Sequence, residues 1–508
     1  MTAYSDSTPV FQMIGCAMSK TITTNPFHSD DDDHLKEECG VFGIIGDPEA
    51  AAHTALGMHA LQHRGQEAAG MVSFDGQQFY SHRGLGHVSE NFNSDAVMER
   101  LKGHAAVGHT RYSTTGETIL RNVQPLFAEY EFGGFAIGHN GNLTNALTLR
   151  KELQHRGCLF QSTSDTEVVT HLIARSEATT IEDRFVDALR QIEGAYSFVC
   201  LTDNAIIGAR DPLGVRPLVL GKLDGAHILC SETCALDIIG AEFIRDIEPG
   251  EVVVLSNGTV RSLHPFPKQS PRFCVFEYIY FARPDSNADG HNVYEVRKRI
   301  GAELAKESPT DVDVVVPVPD SGVPAALGFA AASGIPFEYG IIRNHYVGRT
   351  FIQPTDKTRH LGVKRKHNPN REVLDGKRVV LVDDSIVRGT TSTKIVDMVR
   401  QAGATEVHLR ISSPPTAHPC FFGIDTPSRD KLLAAQFDTP AMAKMLGVDS
   451  LAFISIDGLY RAVNEPGRNA DKPQYCDACF TGEYPLPLTD QNAGSMPKQL
   501  SLLNEERR

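Results

Sequence analysis

Two adjacent carboxylates, Asp383 and Asp384, close an apolar run of four residues, Val379-Val380-Leu381-Val382. A run of that kind predicts a strand buried on both faces of a parallel sheet, and ligands of open α/β sheets sit at the carboxyl ends of such strands. Ser385 and then Arg388-Gly389-Thr390-Thr391-Ser392 follow, supplying a cation, a glycine that lets backbone approach a ligand, and hydroxyls. Ile395, Val399 and Ala402 recur behind them at intervals of four and three, so the loop feeds a helix whose first N–H groups favour an anion. Carboxylates suit ribose hydroxyls or a hydrated magnesium ion, and hydroxyls with backbone N–H groups suit a phosphate monoester. The implied ligand is a phosphorylated pentose, with a capped surface turn as the plain alternative. No G-x-G-x-x-G follows a strand here and no G-x-x-x-x-G-K-[ST] is present, which disfavours dinucleotide and P-loop sites.

Other residues could also do chemistry. Cys39 heads a glycine-spaced apolar strand, Cys39-Gly40-Val41-Phe42-Gly43-Ile44-Ile45-Gly46, where it reads as a buried small hydrophobe or as a nucleophile. Cys274 and Cys420 stand apart from the C-x-x-C pair Cys476 and Cys479, a spacing that suits zinc, redox chemistry or a cluster about equally. Cys230 and Cys234, four apart, are a weak metal pair, and core packing explains them as well. Arg343, Tyr346, Arg349, Thr350, Lys364, Arg365 and Lys366 make a basic stretch within residues 340–366, readable as a solvated face or as an anion-handling loop.

The elements that must position these groups need room, and 508 residues suffice for two or three domains with sizeable cores. Hydrophobic residues at 41% and charged ones at 22% are ordinary globular values, so disorder is excluded for the bulk of the chain. A net charge of −14 argues against nucleic acid as a main partner. No apolar run reaches the roughly 18–20 residues that span a bilayer, and a secretory signal is lacking, which leads us to expect a cytoplasmic protein with no membrane partner. Ten cysteines without dense regular spacing point to metal or catalytic use rather than disulfides. Residues 1–38 are polar, with Asp30 to Asp33 in a row, and are expected to be disordered; too acidic for a transit peptide, they give way at Cys39 to domain-like texture. From Gly194 to about Leu263, proline and glycine turns separate short apolar strands.

Four strings follow Cys39 in order: Leu61-Gln62-His63-Arg64-Gly65-Gln66-Glu67, Gly108-His109-Thr110-Arg111-Tyr112-Ser113-Thr114-Thr115-Gly116, Gly138-His139-Asn140-Gly141-Asn142 and Ser162-Thr163-Ser164-Asp165-Thr166-Glu167. Together they closely resemble the class II glutamine amidotransferase domain, an N-terminal-nucleophile (Ntn) hydrolase of αββα sandwich form. The resemblance implies that Cys39 is the first residue of the mature enzyme, because its free α-amino group, with a pKa of roughly 7.7–8.0, must act as base for the thiol. Residues 1–38 would then be a propeptide, cut between Glu38 and Cys39 by the chain itself. It further implies that Cys39 attacks the glutamine carboxamide to form a thioester, that the Asn140 amide and the Gly141 N–H hold the oxyanion, and that Arg111 and Asp165 hold the substrate's α-carboxylate and α-ammonium groups. For Arg111 a surface ion pair, and for Asp165 a helix cap, are the alternatives. Arg210-Asp211 and Arg216-Pro217 also match and are expected to be scaffold around the glutamine pocket.

The stretch Lys377 to Ser392 resembles the signature for phosphoribosyl diphosphate (PRPP) of the type I phosphoribosyltransferases. Val314-Val315-Val316-Pro317-Val318-Pro319-Asp320-Ser321-Gly322 resembles their diphosphate- and magnesium-binding turn. With Pro271 to Ser286 at the junction, residues 39 to about 485 resemble one family that joins the two activities. The fold class implied is α/β and α+β: an Ntn hydrolase αββα sandwich over 39–270, then a type I phosphoribosyltransferase parallel-sheet domain over 271–486, with 487–508 a flexible tail. PRPP would be held by Asp320, Ser321, Arg349, Lys364, Asp383, Asp384, Ser385, Arg388, Gly389, Thr390, Thr391 and Ser392, with magnesium at Ser321, Asp383 and Asp384 and part of 340–366 closing over it. Cys274, Cys420, Cys476 and Cys479 coincide with the [4Fe-4S] ligands of the family's iron-sulfur branch, a complete thiolate set. The activity implied is the first committed step of purine synthesis, in which ammonia from glutamine passes internally to PRPP. A homotetramer and purine nucleotide feedback inhibitors are expected on the same ground. An amidotransferase joined to a different synthase, and a regulatory protein that keeps the fold as a ligand sensor, are the rival readings.

Overall fold

The computed structural model describes residues 39–112, 119–256, 258–344 and 367–492. Residues 1–38, Ser113 to Gly116 of the second string, and Tyr346, Arg349, Thr350, Lys364, Arg365 and Lys366 of the basic stretch lie outside the described residues.

The first half is built on two antiparallel sheets packed face to face. One has seven strands, with Gly40–Ile45 between Ala105–Arg111 and Ala226–Cys230. The other has six, with Gly133–Leu143 between Leu126–Tyr130 and Gly194–Leu201. Strand alternation explains how each sheet is buried twice. Val41 joins Val107, Ala136, Val199, Ile206 and Val253 between the sheets. Its neighbours Phe42 and Ile44 face the other way, under the Ala50–Ala60 helix with Met58 and Leu61. Beyond the second sheet, Phe135, Ile137, Phe198 and Ile207 are covered by the Thr166–Arg175 and Ile181–Leu189 helices through Val169, Ile173, Phe185 and Leu189. Three cores thus separate four layers, helix, sheet, sheet, helix.

The second half holds a four-stranded parallel sheet in the order Val314–Pro317, Arg378–Asp383, Glu406–Ile411, Ser450–Phe453. Val379 and Leu381 face the Thr390–Gln401 helix through Ile395 and Val399, while Val380 and Val382 face the Val293–Glu307 and Val323–Ser333 helices. Those two helices approach at glycines: a Cβ on Gly301 would stand 1.8 Å from the Ala325 carbonyl oxygen, and one on Gly328 1.8 Å from that of Lys298. Because Pro317 pairs with Val382, both phosphate-type turns leave the sheet at the same edge.

The expected tail differs in its first part. Leu486 and Leu488 pack on the second-half core, and Asp490 binds the start of the Ala146–His155 helix, accepting from Leu147 N at 2.8 Å and Thr148 N at 3.0 Å. Within the tail itself one apolar residue, Leu488, and a helix cap outweigh the polar composition that suggests a loose end. Residues 493–508 lie outside the described residues.

Candidate active sites and the interface between them

Cys39 is buried at the head of the Gly40–Ile45 strand, its Sγ 3.7 Å from the Tyr112 carbonyl oxygen. The register that sets Gly40 opposite Thr110 brings Arg111, also buried, beside that strand head. The second sheet is tied to the same place, because His109 Nε2 donates to the His139 carbonyl oxygen at 3.0 Å. Burial, with Arg111 beside it, draws His109 down to about 3, so its ring is neutral at physiological pH. Asn140 and Gly141 follow His139 directly.

The Asn140 side chain is fully buried, and neither its nitrogen nor its oxygen has a hydrogen-bond partner among the described residues. Leaving a buried amide unsatisfied costs about 1–3 kcal/mol, so its retention needs a reason outside the fold. Gly141 sits at φ +139° with the Ala195 carbonyl oxygen 2.1 Å from where a Cβ would be, a place only glycine can occupy. Asp165 caps the Thr166–Arg175 helix, accepting from Thr166 N at 2.8 Å, and also accepts from Leu143 N at 3.0 Å. Burial would raise its carboxyl, but His139, 3.7 Å away, and those two N–H groups outweigh burial and hold it below the usual value. The helix-cap reading of Asp165 is therefore seen directly, and it leaves an ionised carboxylate in a cleft shared with Asn142, Ser164 and Phe421.

At the parallel-sheet edge, the two turns meet through Asp384. Ser321 Oγ donates to Asp384 Oδ1 at 2.6 Å and Ser385 Oγ to its Oδ2 at 2.6 Å, while Asp383 Oδ1 accepts from Asp384 N at 2.9 Å. Gly389, at φ +81°, precedes the Thr390–Gln401 helix, whose first turn presents Thr390 outward and buries Thr391 and Ser392. Arg388 is exposed beside it. Asp320 stands apart from this group and pairs instead with Arg343. Arg349 and Lys364 fall outside the described residues. Among the described residues no group of three or more His, Cys, Asp or Glu could hold a metal by itself. Two carboxylates and a hydroxyl are nevertheless a fitting partial set for magnesium, which keeps waters and takes substrate phosphate oxygens.

Comparison with known proteins matches both halves. A glutamine amidotransferase domain model covers residues 109–237, and a phosphoribosyl transferase domain model covers 288–412. The amidophosphoribosyltransferase of Rhizobium etli is 62% identical over 479 residues, 93% of this chain and 97% of that one. That of Bacillus subtilis is 48% identical over 89% of this chain and 95% of its own. The chain belongs to the amidophosphoribosyltransferase family. A solved glutamine PRPP amidotransferase from B. subtilis, complexed with ADP and GMP, superposes with a TM-score of 0.84 at 47% identity, covering 89% of this chain and 98% of that one.

In this amidophosphoribosyltransferase chain the four later cysteines converge. Phe273–Cys274 pairs in parallel with Tyr475–Cys476, so Cys274 stands opposite Cys476. The Cys479 carbonyl oxygen accepts from Ala417 N and His418 N at 3.1 and 3.0 Å, drawing in the loop that carries Cys420. Burial pushes the Cys274 thiol up to about 12; burial with Cys274 and Cys420 nearby raises Cys476 well above the usual thiol value, and burial with Cys274, Cys420 and Cys476 nearby does the same to Cys479. Four thiols within one another's fields, under Phe276, Phe422 and Phe480, fit a group that supplies compensating positive charge. A single-ion site would need its ligands within roughly 2.3 Å of one point, whereas a cluster spreads its thiolates over several irons. Cys230 and Cys234 do not join them: both pack in the core beneath the Ala50–Ala60 helix.

The motif strings also contained a group whose role the sequence did not reveal. Glu277, fully buried at the junction, accepts from Arg64 in two bonds, Nη1–Oε2 at 3.0 Å and Nη2–Oε1 at 2.7 Å, and from Arg216 Nη1 at 3.1 Å. Arg64 Nη1 also meets Glu232 Oε1 at 2.5 Å, and His63 Nε2 meets the same oxygen at 2.7 Å. Arg216, expected around the glutamine pocket, instead donates through Nε to the Phe422 carbonyl oxygen at 3.0 Å, across the interface. Asp211 accepts from the N–H groups of Leu213 and Val215, bracing the turn that leads to Arg216. Paired buried charges leave no periodic signature, so only proximity in the fold exposes them.

Proposed function

We propose that Cys39 and the Asp383–Asp384 turn carry the two halves of the family's reaction. As an amidophosphoribosyltransferase, the protein converts glutamine, PRPP and water to 5-phosphoribosylamine, glutamate and diphosphate, the first committed step of purine biosynthesis. The observation that carries the residue assignment is the Asn140 amide, buried with no hydrogen-bond partner among the described residues and next in the chain to His139, whose tie to His109 anchors the nucleophile strand.

Cys39 attacks the glutamine carboxamide, and its own α-amino group takes the thiol proton and returns it to the leaving ammonia. That requires removal of residues 1–38, because an amide nitrogen is no base near neutral pH. The Asn140 side-chain N–H and the Gly141 N–H receive the charge that develops on the carbonyl oxygen. Arg111 and Asp165 hold the amino acid's two charged ends, and water then releases glutamate from the thioester. At the second site, the Thr390–Gln401 helix start and the hydroxyls of Thr390, Thr391 and Ser392 hold the 5-phosphate, with Arg388 and Gly389 completing the cradle. Asp383 and Asp384 hold ribose hydroxyls. Ser321, Asp383 and Asp384 would hold magnesium, which when bound offsets charge on the departing diphosphate.

Cys274, Cys420, Cys476 and Cys479 would hold one [4Fe-4S] cluster, clamping segments far apart in the chain rather than reacting. Ammonia passes between the sites inside the protein. The ADP and GMP named with the B. subtilis structure support purine nucleotides as feedback inhibitors. No helix among the described residues is long and apolar enough to cross a membrane, and we place the enzyme in the cytoplasm as a homotetramer. The test is N-terminal sequencing, mass and iron content of anaerobically purified active enzyme. A C-G-V-F-G start with about four irons per chain is expected; an intact Met1 at full glutaminase activity, or zinc in place of iron, overturns the corresponding part.

A further inference from the structure

We propose that Glu277 is a positioning residue that couples glutamine hydrolysis to the transfer site. It is the buried junction carboxylate on which two arginines of the glutaminase half converge. The inference rests on the reading that the two sites act in sequence.

On the glutaminase side, Arg64 is followed by Gly65, which lies so close to the Thr110–Arg111 backbone that a Cβ would stand 2.6 Å from Arg111 N. Glu67 N donates to the Arg111 carbonyl oxygen at 3.1 Å. Arg64 and the glutamine-holding Arg111 therefore belong to segments that cannot shift independently. On the transfer side, the turn that starts at Glu277 is gripped by Arg297 of the Val293–Glu307 helix. That guanidinium donates to the carbonyl oxygens of Tyr278 at 2.7 Å, Tyr280 at 2.7 Å and Ala282 at 2.8 Å. Arg216 adds a second tie, running from Glu277 to the Phe422 carbonyl oxygen in the Cys420 loop. The same loop reaches back to the second sheet, on the strand that carries Asn140 and Gly141, where Asn142 Nδ2 donates to the Phe421 carbonyl oxygen at 2.9 Å.

A neutral cluster buried between domains contributes fixed geometry more surely than stability. A bidentate guanidinium–carboxylate pair fixes both distance and orientation. Any displacement of the Val293–Glu307 helix when the transfer site fills is thus delivered through Glu277 to Arg64, and from there to the backbone that carries Arg111. Neither Glu277 nor Arg64 touches a reacting atom in this scheme.

The test uses the full-length processed enzyme with Glu277→Gln, which keeps shape and removes charge. Four quantities are measured: synthesis from free ammonia, synthesis from glutamine, KM for glutamine, and phosphoribosylamine formed per glutamate released. Loss of charge-assisted bonds is expected to raise KM for glutamine about tenfold or more and to lower the yield of amine per glutamate, with ammonia-dependent synthesis unchanged. Should Glu277→Gln be insoluble, Glu277→Gln with Arg216→Gln leaves Arg64 balanced by Glu232 and is expected to show the same pattern. Wild-type KM and yield in either variant overturn the proposal, as does an equal loss of ammonia-dependent synthesis. A wild-type enzyme whose glutamate release never yields amine would instead overturn the sequential reading on which it stands.

Discussion

At the scale of single residues, two sorts of side chain stand out, those satisfied by the fold and those held in readiness. Asn140 is of the second sort. Asn140→Ala should lower glutamine-dependent kcat by about 10²–10³, the usual effect of losing one oxyanion donor, while ammonia-dependent synthesis and glutamine KM stay near wild type in steady-state assays. Ser321 is of the first sort, since it orients Asp384. Ser321→Ala should weaken PRPP use in the ammonia-dependent assay by about 0.5–1.5 kcal/mol without touching the thiol chemistry. Asp165 and Glu232 set the acid limit. Burial works to raise both carboxyls, yet His139 outweighs it at Asp165, and His63 with Arg64 at Glu232, so both stand below their ordinary values. A carboxyl depressed by folding adds stability above its unfolded pKa, roughly 4, and that stability drains away as pH falls through the folded value. Urea midpoints should therefore be level above about pH 5 and fall below about pH 4. Glu232→Gln should lower the plateau by about 3–5 kcal/mol and flatten the acid limb. The proposed roles of Cys39, Arg111, Asn140, Gly141 and Asp165 rest on strings around them that are jointly specific. Glu232 and Glu277 were not legible in the sequence, because ion pairing between distant segments has no local pattern.

At the scale of elements, the Arg378–Asp383 strand could be read from its apolar run, and its helix from the spacing of Ile395, Val399 and Ala402, since burial on two faces and periodicity are both written locally. Strand order was not legible, nor was the pairing of Phe273–Cys274 with Tyr475–Cys476, which joins segments about two hundred residues apart and depends on the whole chain closing. The glycine-lined crossing of Val293–Glu307 and Val323–Ser333 was equally hidden. Gly301→Ala places a methyl against the Ala325 carbonyl and forces the helices apart. A loss of at least about 2 kcal/mol is expected from such overpacking, read as a lower Tm and a more weakly held sheet edge. If the melting curve did not move, the close approach would not matter to the fold.

At the scale of the molecule, composition limited the answer to a globular chain of two or three domains, and one place departs from its reading. The segment from Pro487 reads as loose, yet Leu488 packs it on the second-half core and Asp490 ties it to the opposite domain. Asp490→Ala should cost about 0.5–2 kcal/mol through the lost cap and should expose the chain's end to protease, measured as cleavage rate beside the wild type.

Asp490 lies 343 residues downstream of the Leu147 amide it caps. At roughly 5–20 residues per second on the ribosome, the helix beside the glutamine cleft waits on the order of twenty seconds to a minute for its final contact. The domain that liberates ammonia is born first but is completed last, by the piece of chain that emerges only after the acceptor domain has been synthesised.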